Sequence, residues 1–200
     1  MLYTLTEPLM KRTILTSFTI LSLLFATTAC GEDDSIEQAV DQTVQQFEAA
    51  GVTDMKNDAL FAAEATSASM LQVELGEEAV SGMAVSPEVQ ELAQELVRDH
   101  QQMLSELQQM ASQSNFVLPS SLGENHQEVY SEVTAKSGLA FDLAYVDRLA
   151  GQYKNLIRRY EDIAQHGKSM ELKQYASKQL PLLRKHRQLV EDLEDRIKNA

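Results

Sequence analysis

Two histidines stand where a histidine is costly. His100 falls in the middle of SPEVQELAQELVRDHQQMLSELQQMASQS, residues 86–114, where Val89, Ala93, Leu96, Met103, Leu107 and Met110 recur at the 4-3 spacing of an amphipathic helix. His186 holds a matching place among Leu172, Ala176, Gln179, Leu183, Val190, Leu193 and Ile197. Asp142 lies on a third stripe with Leu139, Val146, Leu149, Tyr153, Leu156, Tyr160 and Ile163, and Glu64, Glu74 and Glu78 lie on or beside a fourth. Burying such groups costs free energy unless they find partners. Imidazoles and carboxylates converging inside a bundle can hold Zn²⁺ or another divalent ion, which makes His100, His186, Asp142 and Glu74 the candidate ligands of a metal-binding or redox-active protein. They can equally satisfy one another, with Asp142 or Glu74 accepting from a histidine, and no metal is then needed. Apart from such a divalent metal, no cofactor is expected.

The commonest way for a helical bundle to hold two metals uses Glu-x-x-His on two of its helices. Val97 and Leu183 stand three residues before His100 and His186, so that pattern fails. There is no nucleophilic triad, phosphate loop or Cys/His cluster, and the chain reads as non-enzymatic. His126 and His166 fall in or beside loops and are expected to be exposed. Arg158-Arg159 and Arg184-Lys185 with Arg187 read as solvated faces.

The elements that must position these groups are helices. Trp is absent, Gly and Pro are few, and no strand-like alternation occurs. Ser35 can cap a short helix, Ile36–Ala50, whose Ile36, Val40, Val44 and Phe47 share a face and which Gly51 stops. It either docks on the rest or spaces it from a membrane. A first long helix runs from about Asp54 to Val80, with Phe61, Ala68, Leu71, Leu75 and Ala79 along its face. Ser86 and Pro87 open the second. After Ser114 comes an apolar extended piece, Phe116-Val117-Leu118-Pro119, and then a smaller helix around Glu124–Lys136. A third long helix covers about Gly138–Gln165, and Ser169 can cap the fourth, which Pro181 should kink or in which it should free a carbonyl of the preceding turn. Short links make two antiparallel hairpins, and the connection of about 23 residues between them can travel the roughly 40 Å length of a bundle helix. The expectation is all-α: a ferritin-like four-helix bundle of two hairpins with a long crossover containing a short helix.

The formal net charge of −13 argues against nucleic acid and anionic membrane surfaces as partners. Residues 30–137 hold 3 Lys/Arg against 20 Asp/Glu, whereas residues 138–200 hold 12 against 9. Either the two halves attract as they pack, or the acidic half forms a docking face.

Residues 1–29 are read as a targeting segment. Lys11 and Arg12 precede an apolar run, Ile14–Ala26, and the run ends in Thr27-Thr28-Ala29-Cys30-Gly31. A cysteine after small residues there resembles the lipobox of bacterial lipoprotein signal peptides. That resemblance implies that lipidated Cys30 becomes the mature N-terminus, so that the membrane is a partner through lipid. Cys30 is the single cysteine, so it has no internal disulfide partner. Gly31 after it resembles outer-membrane sorting, which places the protein on that membrane facing the periplasm; cleavage after Ala29 would instead leave it soluble in the periplasm. Residues 30–52 form an acidic tether and short helix, and residues 53–200 the four-helix domain.

Four segments in order, VELGEEA (73–79), LVRDHQQML (96–104), FDLAYV (141–146) and LPLLRKH (180–186), resemble the DUF4142 family of bacterial envelope proteins over about Leu60–Leu193. The resemblance implies a ferritin-like bundle, no established reaction, and recurrent polar residues at Glu74, Asp99, His100, Asp142, Tyr145 and His186. It also implies two departures: Gln72 stands where many members carry a Glu, and Tyr153 where many carry a His.

Overall fold

A computed structural model describes residues 34–199. Cys30 and the targeting segment lie outside the described residues. The described residues form six helices and no strand: α1 Ser35–Ala49, α2 Lys56–Ser81, α3 Pro87–Ser114, α4 Glu124–Thr134, α5 Leu139–His166 and α6 Met170–Lys198. The helix sites read from the sequence hold to within a few residues. α6 runs unbroken through Pro181.

Helix direction follows from two capping contacts. At one end of the bundle Asp142, in the first turn of α5, accepts from the backbone N–H of Ser86 at 3.1 Å, just before α3. At the other end Asp58, near the start of α2, accepts from Lys168 N at 2.8 Å and Ser169 N at 2.7 Å, just before α6. Thus α3 and α5 start together at one end, and α2 and α6 start together at the other. Each carboxylate satisfies N–H groups that a helix start leaves without intrahelical partners. Asp142 therefore serves as the cap of α3, and the Ser86 side chain makes no capping bond.

The core is formed where α2, α3, α5 and α6 meet, with α3, α5 and α6 each burying one face in it. The stripes supply Leu96, Met103, Leu107, Leu149, Tyr160, Leu183 and Val190 as expected, but Leu139 is 65% exposed at the first residue of α5. α2 departs from the single-stripe pattern, being buried on nearly every side. Its many Ala and Ser residues let α1 and α4 pack against it as well as α3 and α5. A helix with little polar surface needs such company. Gly76 brings α2 close to α3: a Cβ there would run into Val97 Cγ2.

α1 docks on the bundle. Ala39 and Val40 pack on Ala59 and Ala63, and Phe47 meets Phe116 at 5.1 Å between ring centroids. Thr43 holds the crossover as a strand would, accepting from Val117 N at 2.9 Å and donating to Val117 O at 3.3 Å. The cap of α1 is Asp34 and not Ser35: its carboxylate accepts from Ile36 N and also from Glu124 N at the start of α4. Ser35 instead donates to Ser121 O.

Candidate functional site

Three helices bring one polar side chain each to a point inside the bundle. His100 of α3 and His186 of α6 are fully buried, as is Tyr153 of α5 between them. Tyr153 Oη lies 2.9 Å from His100 Nε2 and 3.4 Å from His186 Nδ1. His186 Nε2 lies 3.0 Å from Asp99 Oδ2, and Asp99 stands at the edge of the core with its side chain 17% exposed. The result is one chain, Asp99–His186–Tyr153–His100, running from the surface inward.

Burial decides the charge state. It pushes His100 down to about 3, and the neighbouring His186 pushes the same way against a weaker opposing pull from Asp99. His186 is also held below its ordinary value, because burial outweighs the Asp99 hydrogen bond. For Asp99, burial pushes the carboxyl up, but the bond from His186 and the charges of His186, Arg98 and Lys185 together hold it below the usual range. Tyr153 is raised well above its ordinary value, chiefly by burial. At neutral pH the chain is thus two neutral imidazoles and a neutral phenol ending on a carboxylate.

The carboxylate sets the order of the donors. Asp99 can only accept, so His186 carries its proton on Nε2 and leaves Nδ1 as an acceptor. Tyr153 donates to that nitrogen and accepts from His100 Nε2–H. All three donors are then used, and the one open position is the lone pair of His100 Nδ1, which has no partner. An unused acceptor costs less than an unused donor would in this buried place.

The other residues expected at the site are elsewhere. Asp142 is buried but caps α3, eleven residues before Tyr153 in the sequence and so about 16 Å away along α5. The expected convergence of Asp142 with the histidines does not occur. Glu74 is half-buried and raised by burial and by Glu77; it acts on Tyr130 of α4, whose hydroxyl bonds Glu78 at 3.1 Å. The groups it acts with are Glu77 of its own helix and Tyr130 of the crossover, not the histidine chain. Tyr145 is fully buried, stacked on Phe141 at 5.8 Å, with its hydroxyl unpartnered.

Two further expectations are corrected. His126 is not a solvated loop residue: it sits in α4 with Nδ1 2.6 Å from Ser67 Oγ. Arg159 is not part of a solvated face, since it bonds Glu64 at 2.9 Å and both the side chain and the backbone carbonyl of Asn57, and lies over the Phe61 ring. His166 is exposed as expected, at the end of α5.

Sequence reasoning missed Glu95. It stands one turn before Asp99 on α3, and its carboxylate, that of Asp99 and His186 Nε2 belong to a set whose ligand atoms all lie within 4.8 Å of one another. Among the described residues, neither His100, Asp142 nor Glu74 belongs to such a set. The usable signal was the i, i+4 spacing, which puts Glu95 and Asp99 on one face.

Fold and site together define a helical domain whose core is threaded by a neutral His–Tyr–His chain ending on a surface carboxylate. A family model described as a domain of unknown function, DUF4142, matches residues 41–193, and the chain belongs to that family. No curated protein and no solved structure matches it.

Proposed function

We propose that this chain is a lipoprotein of the bacterial envelope, anchored through lipid on Cys30 and facing the periplasm from the outer membrane. Its helical domain is a ferritin-like bundle acting as a non-enzymatic binding or structural module, in keeping with a role under envelope stress. The observation that carries the anchor is the single cysteine set behind Thr27-Thr28-Ala29 at the end of an apolar run. Several acyl chains on one residue would hold firmly where one alone binds marginally. Helix α1 starts at Ser35, five residues after Cys30, so the domain would sit within about 18 Å of the bilayer surface.

The shared starts of α3 with α5, and of α2 with α6, support the ferritin-like reading, because that arrangement needs one long crossover between hairpins. The saturated, uncharged donors of the buried chain support a structural role for His100 and Tyr153: they fix how three helices meet. Fractionation tests the anchor. The wild-type protein is expected in the outer-membrane fraction, released only by detergent, with Cys30→Ser in the soluble periplasmic fraction. Wild-type protein found soluble would overturn the lipid anchor and favour cleavage after Ala29.

A further inference from the structure

We propose that Glu95, Asp99 and His186 form a divalent-cation site of zinc type at the surface mouth of the buried chain. This goes beyond the anchored-module reading and does not depend on it.

Geometry comes first. A tetrahedral zinc with bonds of about 2.0–2.1 Å holds its ligand atoms roughly 3.3 Å apart. Asp99 Oδ2 and His186 Nε2 are already 3.0 Å apart, and the Glu95 carboxylate completes a set within 4.8 Å. Two carboxylates one turn apart on α3 and one imidazole from α6 give three protein ligands and leave a fourth position for water. A pairing of nitrogen with oxygen ligands favours zinc over magnesium, which prefers oxygen alone.

A cation already stands at this place. Lys185 Nζ lies 2.5 Å from Glu95 Oε1, and Arg98 Nε lies 3.3 Å from Asp99 Oδ1. Both basic side chains are more than half exposed, whereas the ligands beneath them are 29%, 17% and 0% exposed. The ammonium can therefore withdraw into solvent while the carboxylates stay in position.

Behind the site, Tyr153 takes the role that an outer partner usually plays in fixing a ligating histidine. Its hydroxyl both donates and accepts, so the chain can run either way. With Nε2 given to a metal, His186 carries its proton on Nδ1 and donates to Tyr153. Tyr153 then donates to His100 Nε2 across the 2.9 Å contact, and the His100 proton moves to Nδ1, where it is a buried donor without a partner, a cost that the metal bonds must offset. Three protons are carried in both arrangements, so none is lost.

Full-length protein stripped with chelator and titrated with ZnCl₂ alone at pH 7.5 tests the site by calorimetry and by the side-chain ¹⁵N spectrum of the histidines. The expected result is one Zn²⁺ per chain, a shift of the His186 Nε2 resonance, and no competition from millimolar Mg²⁺. Glu95→Gln, at a partly exposed position that should leave the fold intact, is expected to weaken binding by about 100-fold, and Lys185→Ala to tighten it. Absence of saturable binding overturns the proposal. So does binding that survives Glu95→Gln unchanged, or that disappears in His166→Gln, since the ion would then lie elsewhere.

Discussion

His186 and His126 make an instructive pair. Each is held below its ordinary pKa by burial, and each has Nδ1 fixed by a hydroxyl, Tyr153 in one case and Ser67 in the other. Ser67 also accepts from Gly123 N, so its own proton is free to go to His126 Nδ1. The surroundings of the two rings separate them. The second nitrogen of His186 meets Asp99, with Glu95 one turn away. His126 lines a cleft of about 380 Å³ among Gln72, Asn125, Gln152 and Arg159. The Glu64 carboxylate of that cleft is already engaged by the Arg159 guanidinium. A hydroxyl anchor thus orients an imidazole without giving it a task. The cations differ as well: Lys185 on Glu95 and Arg98 on Asp99 are largely exposed, whereas Arg159 on Glu64 is also held by Asn57.

The largest effect expected on this comparison comes from Tyr153→Phe. It leaves His100 Nε2–H and His186 Nδ1 without partners in a fully buried place, a loss of about 2–4 kcal/mol in urea denaturation. A loss below about 1 kcal/mol would show that the chain contributes little to folding.

Acid comes next. A histidine kept neutral by burial binds its proton less tightly folded than unfolded. Its contribution is therefore complete above the ordinary value of about 6.5 and falls away as pH drops from there towards about 3. His100 alone should lower stability by about 2 kcal/mol between pH 7.5 and pH 5, with His186 and His126 acting in the same direction. His100→Gln, whose amide can still donate to Tyr153, should remove the share that belongs to His100. An unchanged pH slope in that variant would show that His100 does not titrate in this way.

Ser67→Ala should cost about 1–2 kcal/mol, less than Tyr153→Phe, because His126 lies near enough to the cleft for water to replace the hydroxyl. A greater loss than for Tyr153→Phe would reverse the comparison and make the crossover the more demanding site. The smallest effect is that of Lys185→Ala, which should leave the melting temperature unchanged while strengthening Zn²⁺ binding. A clear drop in melting temperature would make the Lys185–Glu95 pair structural.

Much of the helical order was legible locally. Pro87 opens α3, Ser169 caps α6 through Leu172 N, and Asn115 ends α3 in a left-handed conformation, each by chemistry confined to neighbouring residues. Asp58 and Asp142 were not legible as caps, because the N–H groups they satisfy are 110 and 56 positions away in the chain. Arg159 looked like surface charge for a similar reason: its partners Glu64 and Asn57 lie on α2, about a hundred positions earlier.

Periodicity by itself determined that this protein is helical, where its long helices run, and that His100 and His186 would be buried, since a stripe at helical spacing must face a core whatever its partners are. Tertiary structure alone decided which buried groups would meet. It set Tyr153 between the two histidines, sent Asp142 to the end of the bundle, and brought Glu95 and Asp99 to the outer nitrogen of His186. The physical reason is that a stripe fixes the direction a side chain points but not its height against the next helix. Height is set by how the hairpins seat, through contacts such as Gly76 on Val97 and the two aspartate caps, which no local pattern encodes.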